Sequence, residues 1–385
     1  MRRLLLLACA VIFLDVTFFA VLTPLLPDYR SEFNLSEAAA GVLSGAYAAG
    51  TLAMALPAGW FAARFGPRQA VLAGLVGIGI FSPLFGFADD IWMLDLCRFF
   101  QGASGALLWS GALSWVVSAG PPEQRGALIG TVIAAAVVGE LLGAPLGALA
   151  HVIGTEIVFG AVFFAATALF LIACTIPAVE FTDPQSISDA VAAVKRSNLW
   201  PPFWLLAVPS FAFGVIVVVA PLRMDDLGAS PFLIAAAFSA GSVAEAITGP
   251  VIGRYSDRVG RTGPYVFGIG AIALAMAVMG IFAVLPIVFA AVVLTAFGAG
   301  LAFTPATTLV TDVATADGLN QGYASGATNV AWGGGQMLGA FGGGAMAGVA
   351  FLLPSLVAIL ALGGVAVLAR RVNEQLPVES VELVS

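Results

Sequence analysis

The chain has 385 residues, 60% of them apolar and 10% charged, with a net charge of -7 and a mean hydropathy of +1.03. A soluble protein is about a quarter charged and under half apolar, so this composition excludes a water-soluble fold and makes lipid the solvent. Lys and Arg form no basic face for nucleic acid, and one His with three scattered cysteines (Cys9, Cys97 and Cys174) gives no metal-ligand spacing, so neither metal nor cofactor is expected.

Apolar stretches of about 20 residues, long enough to span a bilayer, recur twelve times. They run roughly over 4–26, 38–60, 69–88, 91–118, 126–149, 154–177, 201–222, 231–252, 264–284, 286–310, 322–346 and 350–369. Arg2 and Arg3 ahead of the first stretch imitate a signal peptide, but the apolar run continues to Leu26 and reads as a retained span. The expected class is therefore an all-α membrane protein of twelve transmembrane helices in two six-helix bundles. Its expected divisions are a first bundle over 1–177, a linker over 178–200, a second bundle over 201–371 and a tail over 372–385. In the linker, Asp183-Pro184 reads as a helix start. Ile187, Val191 and Val194 follow at helical spacing, giving either a short surface helix or a flexible tether.

With twelve spans the termini share one side. Arg2, Arg3, Arg64, Arg68, Arg125, Lys195, Arg196, Arg254, Arg258, Arg261, Arg370 and Arg371 all fall on that side, against Arg30 and Arg223 on the other. The positive-inside rule then predicts an inner-membrane protein with both termini cytoplasmic. Internal repeats agree with two bundles. Gly59-x4-Arg64-x-Gly66 returns as Gly253-x4-Arg258-x-Gly260, and Pro27 and Ser36 return as Pro221 and Ser230, all at an offset of 194. Leu142-Gly143-Ala144-x-x-Gly147 returns as Leu338-Gly339-Ala340-x-x-Gly343 at 196. An even number of spans per copy keeps both copies in one orientation, the arrangement that can rock about a central cavity.

Four motifs carry a resemblance. The loop after span 8 reads Gly253-Arg-Tyr-Ser-Asp257-Arg258-Val-Gly260-Arg261, and its first-half copy is Gly59-Trp-Phe-Ala-Ala63-Arg64-Phe-Gly66-Pro67-Arg68. Span 4 carries Arg98-Phe-Phe-Gln101-Gly102, and span 5 carries Gly139-Glu140-Leu-Leu-Gly143-Ala144-Pro145-Leu-Gly147. Span 1 carries Leu14-Asp15-Val-Thr17, with Pro24 nine residues after the Asp. These resemble the signatures of the major facilitator superfamily, and in particular its twelve-span drug/proton antiporters. The resemblance implies a gating latch at Gly59, Arg64, Gly66, Arg68, Gly253, Asp257, Arg258, Gly260 and Arg261. Ala63 departs from the usual Asp, which puts the first-half latch in question. It also implies a helix-packing antiporter motif at Gly139, Gly143, Pro145 and Gly147, and export of small amphipathic compounds in exchange for protons.

The residues themselves bound the site. A charge at the bilayer centre costs about 2.5–3.5 kcal/mol on insertion scales and persists where it faces a cavity or a partner. Asp15, Arg98 and Glu140 are therefore the proton-coupling candidates, each with a purely structural alternative; for Arg98 that alternative is pairing with Asp95 three residues away. Glu245, near the terminal-side end of span 8, is a gate or latch candidate. Gln101 and the single face formed by Asn329, Trp332 and Gln336 are cavity candidates. Thr304, Thr307, Thr308 and Thr311 are expected to bond their own backbone. An acidic, aromatic-lined cavity would take neutral or cationic apolar molecules, so the expected partners are a small-molecule substrate, protons and lipid, with a monomer as the working unit. A facilitator or symporter for a sugar or another metabolite is the alternative. A membrane enzyme using the pairs Asp89-Asp90 and Asp225-Asp226 is a remote one, since neither pair extends to a D-D-x-x-D arrangement; no catalytic residues are assigned.

Overall fold

A computed structural model describes residues 1–121, 124–178, 192, 199–259, 262–319, 321–349 and 352–375. Among the described residues, thirteen helices account for the twelve expected spans. The first span is α1 (Arg2–Ala20) and α2 (Leu22–Glu32), which meet at Val21. Pro24 lacks the N–H that would bond the Ala20 carbonyl, and that missing bond explains the break. The others are α3 (Glu37–Phe65), α4 (Pro67–Gly86), α5 (Ile91–Ala119), α6 (Arg125–Ile153) and α7 (Thr155–Thr175) in the first half. The second half holds α8 (Trp200–Asp226), α9 (Pro231–Val259), α10 (Thr262–Ile281), α11 (Leu285–Ala316), α12 (Gln321–Ala347) and α13 (Leu352–Gln375). Nine spans among the described residues are long and apolar enough to cross a membrane by length and composition. α5 is 29 residues long but is diluted by Asp95, Arg98, Gln101 and several Gly and Ser. Most of the expected linker, the last ten residues of the tail, and Gly260 and Arg261 lie outside the described residues.

The duplication seen in the sequence is a duplication of packing. In the first half α1 packs on α6, α3 on α5, α4 on α5 and α4 on α7; in the second, α8 packs on α12, α9 on α11, α10 on α11 and α10 on α13. Glycines fix the α1–α6 crossing. A Cβ at Gly139, Gly143 or Gly147 would run into the backbone at Phe13, Thr17 and Val21 respectively. The same series recurs where Gly335, Gly339 and Gly343 of α12 meet Ala207, Phe211 and Val215 of α8. Lipid gives no hydrophobic drive between helices, so close approach at small residues supplies the van der Waals contact that holds them. The repeated serines share a task as well. The Ser36 hydroxyl accepts from the Ala39 N–H at 3.2 Å and the Ser230 hydroxyl from the Leu233 N–H at 3.3 Å, capping α3 and α9. Leu6, Phe164, Leu171, Phe267, Leu274 and Leu360 face outward and are exposed, as a lipid-facing surface requires.

The halves meet along two seams, α3 against α12 and α6 against α9. On the first, Gly41 lies on Gly344 and Gly333 on Ala48. On the second, Ala144 and Ala148 pack on Ala235, and the Ser239 hydroxyl donates to the Leu141 carbonyl at 3.1 Å. At the face opposite the termini an Arg30–Asp226 ion pair, 2.8 Å long, joins the halves.

Candidate functional site

Asp15 sits near the middle of the first span and is fully buried. The Tyr47 hydroxyl of α3 donates to its Oδ1 at 2.8 Å. Its Oδ2 has no hydrogen-bond partner, and the Trp109 indole of α5 stands beside the carboxyl. The carboxyl lies against Gly105 of α5, where a Cβ would collide with both Asp15 and the Tyr47 hydroxyl. A bare glycine is thus what lets three helices converge on one acid.

Arg98 is 1% exposed and pairs with no carboxylate. Its Nη1 donates to the Phe18 carbonyl at 3.2 Å and to Gln101 Oε1 at 3.0 Å, and its Nη2 to the Phe19 carbonyl at 3.3 Å. The guanidinium lies 5.2 Å from the centre of the Tyr47 ring, 5.9 Å from that of Phe85 and 6.0 Å from that of Phe19, within the range of cation–π attraction. Gln101 is a partner of Arg98. Its amide donates onward to the Ser82 hydroxyl at 3.3 Å and the Phe81 carbonyl at 3.4 Å. The alternative of an Arg98–Asp95 pair does not occur. Carboxylates that do find a basic partner include Asp226, which holds Arg30, and Asp28, which lies 2.7 Å from His151 Nδ1.

Glu140 does not join this cluster. It turns across the α6–α9 seam and lines a cavity of about 10 Å³ otherwise walled by second-half residues, among them Phe213, Gly241, Ser242, Val292 and Thr295. That volume holds roughly one water. Glu245 of α9 is close enough for its carboxyl to feel the charge of Glu140, so the two acids, read separately in the sequence, are neighbours from opposite halves. Of the α12 face, Trp332 reaches Phe19 with ring centres 5.9 Å apart, and Phe19 in turn lies 5.0 Å from Tyr47. Gln336 is buried with Oε1 unpartnered, and Asn329 keeps an unpartnered Nδ2. Thr308 and Thr311 bond their own backbone at Thr304 and Thr307, as expected.

The latch candidates separate. Arg64 is exposed and Gly59 buried. Gly66, with φ +97°, turns the chain from α3 into α4. Arg68 donates to the carbonyls of Ala173 and Cys174 at 3.2 and 2.6 Å, fastening α4 to the end of α7 within its own half. Ala63 packs with Trp60 against Ala314, Leu319, Tyr323 and Ala324, an apolar contact between the halves. Gly253, Asp257 and Arg258 fall in the last turns of α9. The acidic pairs opposite the termini have structural partners: Asp90 caps α5 through the Trp92 N–H at 3.2 Å, and Asp226 holds Arg30. Sequence reasoning missed Tyr47. The available signal was that it is the lone aromatic in an Ala- and Gly-rich stretch between Glu37 and Pro57.

The family model described as Major Facilitator Superfamily matches residues 8–222 and 203–383. The chain belongs to this superfamily. It has the superfamily's two-bundle, multi-pass helical fold, with helices long and apolar enough to cross a membrane. It is 29% identical over 192 residues to the MFS-type transporter ppzB of Metarhizium rileyi, a match covering 49% of this chain and 38% of that one. That match thus spans well under half the length of the relative. It is 29% identical over 354 residues to a chloramphenicol resistance protein of Streptomyces lividans, covering 87% of each. Its fold matches the crystal structure of a D-xylose-proton symporter with a TM-score of 0.74 at 16% identity, over 94% of this chain and 97% of that one. At that identity the likeness is one of superfamily fold alone.

Proposed function

We propose that this member of the superfamily is a proton-coupled exporter of small amphipathic compounds. It works by alternating access as a monomer in a cytoplasmic membrane, with both termini cytoplasmic. The observation that carries the reading is Asp15, a carboxyl buried inside a span with one oxygen unpartnered and no cation paired to it. A charged group in that position costs about 2.5–3.5 kcal/mol or more, which favours the protonated form while the site is dry and the anion once water and substrate enter. Arg98 stays positive because a guanidinium does not deprotonate. It is a fixed charge that makes the empty, anionic state of Asp15 attainable. Substrate and proton then compete for one region, and each bias of the two access states follows from which of them is bound. Glu140, in contact with the second half, is the candidate for a further proton. The sequences around Asp257 and Arg258 are candidates for the cytoplasmic latch. Export rather than uptake is supported by the named resistance function of the Streptomyces relative, and the cytoplasmic termini by the distribution of Lys and Arg.

The test is proton flux in proteoliposomes under an imposed pH gradient, on addition of chloramphenicol or tetraphenylphosphonium. Wild type is expected to exchange protons for at least one of these compounds and Asp15→Asn for neither. If neither compound moves protons while a labelled sugar equilibrates equally in both proteins, the export reading fails and a facilitator replaces it.

A further inference from the structure

Asp15 and Arg98 are both buried, stand on facing helices and touch the same tyrosine, yet they do not meet. In a direct pair the guanidinium would hold the carboxyl in its charged form, and a proton carrier would become a structural ion pair. Tyr47 stands between them. Its hydroxyl occupies Asp15 Oδ1 at 2.8 Å while the face of its ring lies 5.2 Å from the guanidinium carbon. Arg98 meanwhile spends its hydrogen bonds on the Phe18 and Phe19 carbonyls beside the α1–α2 break and on Gln101.

The backbone is built to keep the tyrosine there. Gly102 of α5 lies directly on the Tyr47 carbonyl, and Gly50 of α3 lies on the Phe99 carbonyl. A Cβ at either would part α3 from α5. Gly105 leaves the room that the hydroxyl and the carboxyl fill together. The charged and titratable groups facing Asp15 are Tyr47 from α3 and Arg98 from α5, with the Trp109 indole beside them. From α6, Glu140 points into the second half. From α7, Phe159 offers only a ring, 5.6 Å from that of Phe18.

We propose that Tyr47 is a positioning residue for proton binding at Asp15: its hydroxyl holds the carboxyl apart from Arg98 and leaves Oδ2 as the oxygen that takes the proton. The proton adds to Oδ2 and leaves from it, and Tyr47 keeps its own throughout. This rests on the reading that Asp15 carries the coupling proton, and the test separates the two.

The full chain in lipid is titrated by pH-difference infrared spectroscopy, following the carboxylic-acid stretching band, for wild type, Asp15→Asn and Tyr47→Phe. The component lost in Asp15→Asn is the band of Asp15. In Tyr47→Phe, which keeps the ring over Arg98, that band is expected to change frequency. Its titration midpoint should move by about one pH unit, a tenfold change in proton affinity. A band and midpoint superposable on wild type in Tyr47→Phe, with the Asp15→Asn loss intact, would overturn the role of Tyr47 alone. No band lost in Asp15→Asn would overturn the Asp15 reading and this inference with it. Gly105→Ala, which retains the hydroxyl but pushes it and the carboxyl from their places, is expected to displace the midpoint as well. It serves as the second variant should Tyr47→Phe fold poorly.

Discussion

At the repeat offset of 194, Asp15, Tyr47, Arg98 and Gln101 of the first half correspond to Pro209, Gly241, Val292 and Thr295 of the second. The helices that carry them pack in the same pairs, but the interiors have diverged. In the first half the place is filled by an acid, a base and the ring between them. In the second the acid has become a proline, the ring has become a hydrogen atom and the base a valine. Gly241, Val292 and Thr295 are left lining the small cavity that Glu140 enters from the other side. The duplicated scaffold is thus held by contacts that need only shape, above all the glycine crossings, while at these four positions acid and base stand in one copy only. The latch sequences diverge in the opposite sense, with Ala63 against Asp257 at equivalent positions.

Substitutions at equivalent positions sharpen this contrast. The largest effect is expected for Arg98→Met. It strands Gln101 and two backbone carbonyls in a buried site, at about 1–3 kcal/mol for each group left unpaired, and should lower the melting temperature in lipid more than any substitution at Val292. Next, Gln101→Met removes bonds to Arg98 and Ser82 and is expected to cost about 1–3 kcal/mol. Thr295→Val, whose hydroxyl bonds only the Ala291 carbonyl of its own helix, should cost no more than about 0.6 kcal/mol, the average for a hydrogen bond inside a membrane. Equal losses at the two positions would contradict the asymmetry. Gly102→Ala pushes a methyl into the Tyr47 carbonyl, an overpacking cost of about 1–3 kcal/mol, and transport should fall with it. The counterpart Ala296 already carries that methyl. A comparably small effect belongs to Arg30 and Asp226, partly exposed at 24% and 31%. A double-mutant cycle with Arg30→Ala and Asp226→Ala is expected to give a coupling of about 0.2–1 kcal/mol, shrinking as salt is raised.

The number of spans, their starts to within two residues and the duplication were legible because each is a local or periodic property, whereas several helices run five to seven residues past their expected ends. Hydropathy sums over neighbours, and a repeat is visible at one offset. Ser36 and Ser230 could be matched before either was seen to cap a helix. Asp15 and Arg98 were legible because a charge within an apolar run is costly wherever the run packs. Their partners were not. Helical periodicity tells which residues share a face, but not which way that face is turned. Asp95 lies three residues from Arg98 and yet makes no ion pair with it, whereas Tyr47, far away in sequence, lies beneath it. The rotation of α3 against α5 is set where Gly50 and Gly102 admit the opposing backbone, and that of α6 where Gly139, Gly143 and Gly147 meet α1 and α2. The sequence by itself thus determined a duplicated twelve-span bundle with a few intramembrane charges. The tertiary structure decided that the acid and base of the first half are held apart by a tyrosine, and that Glu140 faces the other half, because helix rotation is fixed by close packing between distant segments.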